Sequence, residues 1–285
     1  MKKGLITKTL GGFFFVANKN QQIKKLNIRG KIQKQVYPGD RVGYKNNVIE
    51  KIFPRNTLLK RPTIANVEQV LIMQSIAYPS FDNILLDRFL IRVKECGLKP
   101  VIILNKIDLA VNNEIKKPEL FDYKNAGYSV FEISSKKGKG LKSLKRRLKE
   151  KINVITGPSG VGKSTLINTL IEDVELPTKP VSKKLKRGVH TTRHVELLSL
   201  NEGGWLADTP GFTSLDITDI SPEKLRLYYP EFKEYMNYCK FRGCSHTHEP
   251  NCAVKKAVKE NKISKRRYDS YCKIYKELEK ECDYR

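Results

Sequence analysis

The chain has 285 residues, which is enough for two or three domains that each bury a core. No run of eighteen apolar residues occurs and no apolar stretch follows Lys2 and Lys3, so we expect neither a membrane span nor a secretion signal but a cytoplasmic protein. A formal charge of +25 predicts a polyanionic partner, although an AT-rich genome would also inflate Lys.

Residues 1–62 make the first predicted domain. They hold fifteen Lys or Arg but only two acids, Asp40 and Glu50, and codon bias alone would not remove the acids so thoroughly. We therefore expect this segment to contact nucleic acid. Short β-rich runs alternate with Gly-Gly, Pro-Gly and Asn-Asn turns, which predicts a small closed barrel.

The stretch from Pro54 to Val67 is interpreted as a linker, and residues 63–219 make the second predicted domain. The runs QVLIMQSIA, KPVIILNK, GYSVFEIS and NVITG have the composition of buried strands. Between them, ILLDRFLIRVKEC and GLKSLKRRLKEK have helical apolar spacing. This alternation predicts a multidomain α/β protein with a mainly parallel sheet covered by helices.

The motif NKID, Asn105 to Asp108, follows a buried strand, where parallel sheets bind their ligands. The Asp108 carboxylate can accept from N1–H and N2–H₂ of guanine, and adenine offers neither donor. Asn105 is predicted to brace the loops and Lys106 to cover the base. A helix-capping Asp after a strand is the alternative.

The motif ISSKKG also ends a predicted strand. Its backbone can place an N–H on guanine O6, although this motif carries little weight alone. The residues concerned are Ser134, Ser135 and Lys136.

The motif GPSGVGKS lies between the strand NVIT and the helical run STLINTLI, as a phosphate-binding loop requires. In such a loop, backbone N–H groups surround the phosphates, Lys163 neutralises their oxygens and assists catalysis, and the Ser164 hydroxyl ligates Mg²⁺. A purely structural glycine turn is the alternative. The predicted nucleotide-binding residues are Gly157, Pro158, Ser159, Gly160, Val161, Gly162, Lys163, Ser164 and Thr165.

Two later motifs complete a guanine-nucleotide site. RGVHTTRH offers Thr191 and Thr192, either of which can ligate Mg²⁺ and serve catalysis in the GTP state. LADTPG follows the predicted strand GWLA, where Asp208 would hold a Mg²⁺ water and the Gly211 N–H would contact the γ-phosphate.

In an ordinary GTPase the phosphate loop precedes the guanine-binding motif, whereas here it follows it. Circular permutation explains this order, because joining neighbouring termini and cutting an exposed loop preserves a sheet.

Residues 220–285 make the third predicted domain, which is helical, with a charged helix expected from about Ile263 to Glu281. Its spacing C-x₄-C-x-H-x₅-C suits a structural tetrahedral zinc ion, and four protein ligands leave no open catalytic position. Spacing does not choose between His246 and His248, and buried free cysteines are the alternative. The candidate ligands are Cys239, Cys244, His246 and Cys252.

Together, these motifs resemble the circularly permuted, ribosome-small-subunit-dependent GTPases (the RsgA/YjeQ family). The resemblance covers nearly the whole chain, through IRGK, GDRV, PRNTLLKRP, NKID, GPSGVGKS, HTT, DTPGF and CKFRGCSHTHEPNCAV. It implies an OB-fold barrel, a permuted GTPase domain and a zinc-binding domain. It also implies a GTP hydrolase that acts in late maturation of the small (30S) ribosomal subunit, contacts its 16S rRNA and is stimulated by the subunit. A monomer is expected, because the sequence shows no sign of symmetry.

Carried over by position, the resemblance implies that His246 is the zinc-ligating histidine. It also implies that His190 assists hydrolysis. The family usually shows three threonines after this histidine, but Arg193 is the third residue here, so Thr191 and Thr192 both stay candidates for Mg²⁺.

Phe212 follows the D-x-x-G motif, where many GTPases carry a glutamine that orients the attacking water. An apolar side chain cannot orient water, which predicts slow turnover until ribosome docking supplies His190 or a group from the subunit. A constitutive RNA-binding module with a structural nucleotide is the alternative function. A small-molecule kinase is disfavoured by NKID.

The barrel aromatics either stack on bases, as OB barrels allow, or pack in the core. Since strand side chains alternate, at least one of Phe13 to Phe15 should point inward. The aromatics concerned are Phe13, Phe14, Phe15 and Tyr37.

Overall fold

A computed structural model describes residues 1–30, 32–60, 62–110, 118–171, 195–208 and 217–283 of the chain. These residues form a closed barrel, a short hairpin, a six-stranded sheet with helices on both faces, and a helical C-terminal region. No helix in the described ranges combines the length and the apolar composition that a membrane span requires.

The N-terminal barrel has five strands in the order β1-β2-β3-β5-β4, and β4 pairs with β1 to close it. Its interior is apolar, with Ile6, Val42 and Ile49 fully buried. The predicted barrel is confirmed, although the first strand was not recognised in the sequence. The strands are β1 (Lys2–Leu10), β2 (Phe13–Ala17), β3 (Ile23–Ile28), β4 (Arg41–Lys45) and β5 (Val48–Ile52).

The alternation expected for the barrel aromatics is confirmed. Phe14 packs against the barrel core, whereas Phe13 is 39% exposed and the Lys25 ammonium lies 3.5 Å from its ring centroid. The Tyr37 ring lies under the Arg55 guanidinium at 4.7 Å. Phe13 therefore stays available on the barrel surface, while Phe14 serves the core.

The segment predicted to be a linker folds into a hairpin of β6 (Leu58–Lys60) and β7 (Thr63–Ala65). Leu59 and Ile64 are buried in the core of the neighbouring sheet. The Asn66 amide donates to the carbonyl oxygen of Gly39 at 2.8 Å and so ties the barrel to the hairpin. The predicted boundary between residues 62 and 63 falls inside this hairpin.

The central sheet has the strand order β10-β9-β8-β11-β13-β12, and only β12 runs antiparallel to its neighbour. The mainly parallel sheet predicted from the sequence is therefore confirmed. Its strands are β8 (Gln69–Ser75), β9 (Lys99–Asn105), β10 (Ser129–Glu132), β11 (Ile152–Thr156), β12 (Leu197–Ser199) and β13 (Trp205–Asp208).

Helices cover both faces of the sheet. On β8, Val70 and Ile72 pack with the helix α1, while Leu71 and Met73 pack on the opposite face with α3 and α4. Burial on both faces explains why these strands read as continuous apolar runs. The helices are α1 (Asn83–Glu95), α2 (Pro118–Asn125), α3 (Leu141–Leu148) and α4 (Lys163–Leu170).

The C-terminal region contains α5 (Pro222–Leu225), α6 (Ala253–Lys259) and α7 (Lys265–Asp283), and among its described residues it has no strand. The helix expected near its end is α7. The run LRLYYPEFKEYMNYC starts at the last residue of α5 and forms three 3₁₀ turns instead of one helix, because Pro230 cannot continue a helix from the preceding turn.

A buried ion cluster joins this region to the sheet domain. Arg267 of α7 is 3% exposed and donates to the Asp87 carboxylate of α1, and its Nε donates to Glu231 at 2.8 Å. The Tyr123 hydroxyl donates to the same Asp87 oxygen at 2.8 Å. The guanidinium carbon lies 4.8 Å and 4.6 Å from the ring centroids of Tyr123 and Tyr229. This cluster fixes α7 against α1.

We predict that Arg267→Leu lowers the free energy of unfolding by about 3–5 kcal/mol, because Asp87 and Glu231 would stay buried without a counter-charge. Urea denaturation followed by circular dichroism measures the loss. The matched control is Lys265→Leu on the same helix, whose pair with Asp269 is exposed and contributes little. Equal shifts in the two variants would contradict the role given to the cluster.

Candidate nucleotide and metal sites

The phosphate loop connects β11 to α4 and requires glycine at three positions. Gly157, Gly160 and Gly162 have φ values of +140°, +79° and +98°. A Cβ on Gly157 would lie 2.4 Å from the carbonyl oxygen of Met73, and one on Gly162 would lie 2.4 Å from the Asn105 amide nitrogen. The glycines therefore allow the loop to pass close to β8 and β9.

Lys163 begins α4 and folds back over the loop. Its Nζ donates to the carbonyl oxygens of Gly157 at 2.7 Å and Pro158 at 2.8 Å. Ser164 and Thr165 are half-buried in the first turn of the same helix. A helix N-terminus with a lysine beside it favours a bound anion.

A single buried side chain joins three loops at the carboxyl edge of the sheet. Asn105 is 2% exposed, and its amide nitrogen donates to the carbonyl oxygen of Val161 at 2.9 Å. Its amide oxygen accepts from both the backbone N–H and the hydroxyl of Ser135, each at 3.0 Å. Asn105 thus braces the phosphate loop and the ISSKKG loop, which is the bracing predicted for it.

The rest of NKID surrounds this junction. Lys106 has a left-handed backbone, with φ of +64°, and its Nζ donates to the carbonyl oxygens of Gly160 at 2.7 Å and Tyr78 at 2.5 Å. Asp108 is exposed in the 3₁₀ turn Ile107–Leu109. The exposed carboxylate and the Lys106 stem therefore lie on one loop, beside the phosphate loop.

The ISSKKG loop is held mainly by its serines. Ser134 is fully buried and accepts from the backbone N–H of Lys137 at 3.0 Å, and the carbonyl oxygen of Ser135 accepts from Thr169 at 3.2 Å. Lys136 is exposed at the tip. The loop is thereby anchored to both α4 and Asn105.

Several predicted site residues lie outside the described residues, namely His190, Thr191, Thr192, Gly211 and Phe212. Asp208 is described as a backbone position at the end of β13, in register with Ile155 of β11. Its backbone is therefore beside the strand that leads into the phosphate loop.

The turn after β8 also belongs to this site and was not recognised in the sequence. Tyr78 is 87% exposed, and its carbonyl oxygen accepts from Lys106. A Cβ on Gly160 would lie 3.6 Å from Pro79. The position of the turn was readable, because QVLIMQS is a buried strand and its carboxyl end must reach the same edge as NKID.

A second cluster gathers three thiols and one imidazole. The ligand atoms of its four residues all lie within 4.8 Å of one another. The His246 Nδ1 is 3.5 Å from the Cys239 sulfur and 3.3 Å from the Cys252 sulfur. His248 instead lies beside Thr247, at 3.1 Å, outside the cluster. The members are Cys239, Cys244, His246 and Cys252.

The chemistry of this cluster fits a divalent metal ion. Burial lowers the pKa of His246 to about 4, so the imidazole is neutral and its nitrogen can act as a ligand. Burial also raises the pKa of Cys244 to about 12, a cost that a cation bound to the thiolate would offset. The Tyr268 hydroxyl donates to the carbonyl oxygen of His246 at 2.7 Å and so ties the cluster to α7.

The sequence of this chain matches a sequence model described as RsgA GTPase over residues 52–218. It is 42% identical over 290 residues to the Small ribosomal subunit biogenesis GTPase RsgA of Clostridium kluyveri, which covers 99% of this chain and 100% of the relative. It is 39% identical over 288 residues to the protein of the same name from Halalkalibacterium halodurans, covering 98% and 97%.

Two solved structures share the whole architecture. The crystal structure of YjeQ from Thermotoga maritima superposes with a TM-score of 0.82 at 33% identity, covering 97% of this chain and 98% of that one. The structure of YloQ, described as a circularly permuted GTPase, also gives 0.82, at 34% identity and with 98% and 96% coverage. A circular permutation, which the motif order of this chain predicts, is thus the description given to a protein of the same architecture.

Proposed function

This chain belongs to the RsgA GTPase family, and on that premise we propose that it hydrolyses GTP while bound to the small ribosomal subunit, in a late step of that subunit's maturation. The observation that carries the nucleotide part is the Asn105 junction, where one buried amide holds together two loops beside NKID. The relatives' names support the ribosomal part. The charge of +25 is the property that a protein bound to rRNA needs.

In this proposal the chain works as a monomer of three parts. The barrel of residues 1–62 and the C-terminal region of residues 220–285 contact 16S rRNA, and the GTPase domain of residues 63–219 sets their affinity. The connection is short, since the D-x-x-G segment leads directly into the C-terminal region.

The phosphates of GTP lie on the loop of residues 157–165 and on Lys163. The Asp108 carboxylate accepts from the guanine N1–H and N2–H₂, while a backbone N–H among residues 134–136 donates to O6. When bound, Mg²⁺ would supply positive charge to the phosphates. The residues that would hold it are Ser164, Asp208, and Thr191 or Thr192.

Hydrolysis is slow on the free protein in this proposal, because Phe212 cannot orient the attacking water. Docking on the subunit brings His190, or a group of the subunit itself, to that water. Supplied groups of this kind raise GTP hydrolysis by about 10³ to 10⁵.

The Cys239, Cys244, His246 and Cys252 cluster holds one structural zinc ion, since thiolates and imidazole favour zinc and all four positions are filled by protein. Cys244 and Cys252 also belong to the apolar core of the C-terminal region, so a bound ion would add its binding free energy to that core.

We predict that Asp108→Asn lowers GTP affinity by about 10²-fold or more and improves the binding of xanthosine triphosphate. The asparagine amide N–H would donate to O2 of xanthine, and the amide oxygen would accept from the xanthine N1–H. With guanine, the amide N–H would instead face the amino group, which is also a donor. Competition against a fluorescent GTP analogue measures both. Asp269→Asn, the same change on an exposed position of α7, is the control, and a GTP preference kept by Asp108→Asn would contradict the assignment.

We predict about one zinc ion per chain in the purified protein. Metal analysis by plasma emission should show the ion lost in Cys244→Ser and kept in Cys282→Ser, an exposed thiol outside the cluster. Chelation should lower the unfolding temperature of the wild type, because the binding free energy stabilises the folded state. A zinc content unchanged in Cys244→Ser would contradict the ligand set.

The experiment that tests the whole proposal is GTP hydrolysis by the protein alone and with small subunits, large subunits or bulk RNA. We expect acceleration by small subunits only, and loss of that acceleration in His190→Ala if His190 is the supplied group. Intact RNA binding without any acceleration would contradict the proposal and favour a constitutive RNA-binding module.

A further inference from the structure

A cleft of about 670 Å³ lies between the barrel and the sheet domain. Its basic and aromatic lining residues are Lys3, Lys19, Arg41, Phe53, Lys149 and Trp205. β11 and β13 start beside this cleft, whereas the nucleotide loops follow the opposite, carboxyl ends of the strands. The cleft is therefore a separate site, on the far edge of the sheet from the phosphate loop.

The cleft is strongly basic. Lys3, Lys19, Arg41 and Lys149 are all exposed there, and none of them forms an ion pair with an acid among the residues that the structure describes. Glu150 is the one acid in its described lining. Unpaired cations of one sign raise the local potential and attract a polyanion.

The positive charge continues beyond Arg41, which also lines a neighbouring cavity of about 250 Å³. Lys99, Arg147 and Lys151 line that cavity with it. We call the two cavities together the basic seam. A row of cations that continues past Arg41 from one cavity into the next suits a chain of phosphates better than a single anion.

Two aromatic side chains stand among these cations. Phe53 is half-buried on the barrel side, and the ammonium groups of Lys3 and Lys51 lie 5.6 Å and 5.5 Å from its ring centroid. Trp205, the single tryptophan of the chain, is half-buried on the sheet side. Aromatic faces beside cations are the combination that binds unpaired bases.

Both walls of the basic seam are fixed. The backbone N–H of Trp205 donates to the carbonyl oxygen of Lys151 at 2.8 Å, and the carbonyl oxygen of Trp205 accepts from the buried Asn153 amide at 2.9 Å. On the barrel side, the Lys8 ammonium pairs with Glu196 of the β12 segment at 2.8 Å. The cleft therefore exists before a ligand arrives, and its volume suits one nucleotide.

We propose that the basic seam binds a single-stranded segment of RNA, with one unpaired base against Phe53 and Trp205 and its phosphates on Lys3, Arg41 and Lys149. This inference rests on the RNA contact in the proposed function and gives it a location. The basic seam is a different surface from the part of the barrel that carries the exposed Phe13 of β2 and Lys25 of β3.

The test uses a labelled octamer of uridine, because it has no secondary structure. Binding is followed by anisotropy of the label and by the emission of Trp205, which is the only tryptophan. We expect the emission to change over the same concentrations as the anisotropy. Such agreement reports RNA in the cleft, since Trp205 lines it.

Charge-reversal variants then locate the contact. Lys149→Glu should weaken octamer binding by about fivefold or more and reduce the salt slope by about 1. Lys142→Glu is the matched control, an exposed lysine of α3 that lies outside the basic seam and has no ion pair in the described structure, and it should change the affinity less than about twofold. Phe53→Leu should weaken binding by about tenfold through the lost stacking.

Three results would overturn the proposal. Saturated anisotropy with unchanged Trp205 emission would place the RNA elsewhere. Equal losses in Lys149→Glu and Lys142→Glu would show only a general charge effect. The same emission change with uridine monophosphate, at the same concentrations as the octamer, would show a site for a free nucleotide instead of a strand.

Subunit-stimulated GTP hydrolysis, measured on the wild type, separates this inference from the proposed function. Stimulation without any Trp205 response would support the proposed function and contradict RNA binding at the basic seam. A Trp205 response that fulfils the expectations above, without stimulation, would support RNA binding at the basic seam and contradict the proposed function.

Discussion

The candidate nucleotide site depends on the buried amide of Asn105, which must donate and accept at the same time. The donated bond goes to the phosphate loop and the accepted bonds come from Ser135, so a carboxylate at this position would leave the carbonyl oxygen of Val161 unpaired. The amide fits there because Gly162 has no Cβ, since one would lie 2.4 Å from the amide nitrogen. The three loops are far apart in sequence, and permutation preserves their meeting because the sheet, not the chain order, brings them together.

Permutation also decides which segments hold the flanking domains. Described residues next to the two predicted switch motifs form such links: Glu196 pairs with Lys8 of the barrel, and Asp219 accepts from Arg92 of α1 at 3.0 Å. α1 in turn is fixed to the C-terminal region by the Asp87 and Arg267 pair. A change at the γ-phosphate that moved either predicted switch would therefore reach the barrel through the Lys8–Glu196 pair. It would reach the C-terminal region through Asp219, α1 and the Asp87–Arg267 pair.

The sequence predicted those features of the fold and of the candidate sites that depend on a local pattern of residues. Apolar runs ending in NKID and GPSGVGKS predicted both the strands and the edge at which their loops meet, and the cysteine spacing predicted the cluster of three thiols and one imidazole. Long-range partners explain what stayed hidden. Arg267 looks like part of a solvated basic run, yet it is buried against an acid 180 residues away. The hairpin of β6 and β7 was hidden for the same reason, because Leu59 and Ile64 gain their burial from the sheet.

The basic side chains have two roles in this structure: some form ion pairs between domains, and others line the basic seam. Among the described residues, the three ion pairs that cross from the sheet domain to the C-terminal region all use arginine: Arg88 with Glu277, Arg266 with Asp122 and Arg267 with Asp87. The planar guanidinium suits fixed, two-point pairing with carboxylates, whereas lysine remains a mobile, hydrated charge. Three of the four unpaired cations in the larger cleft of the basic seam are lysines. Codon bias explains why lysine is abundant, but it does not explain why arginine takes the internal pairs while lysine lines a cleft.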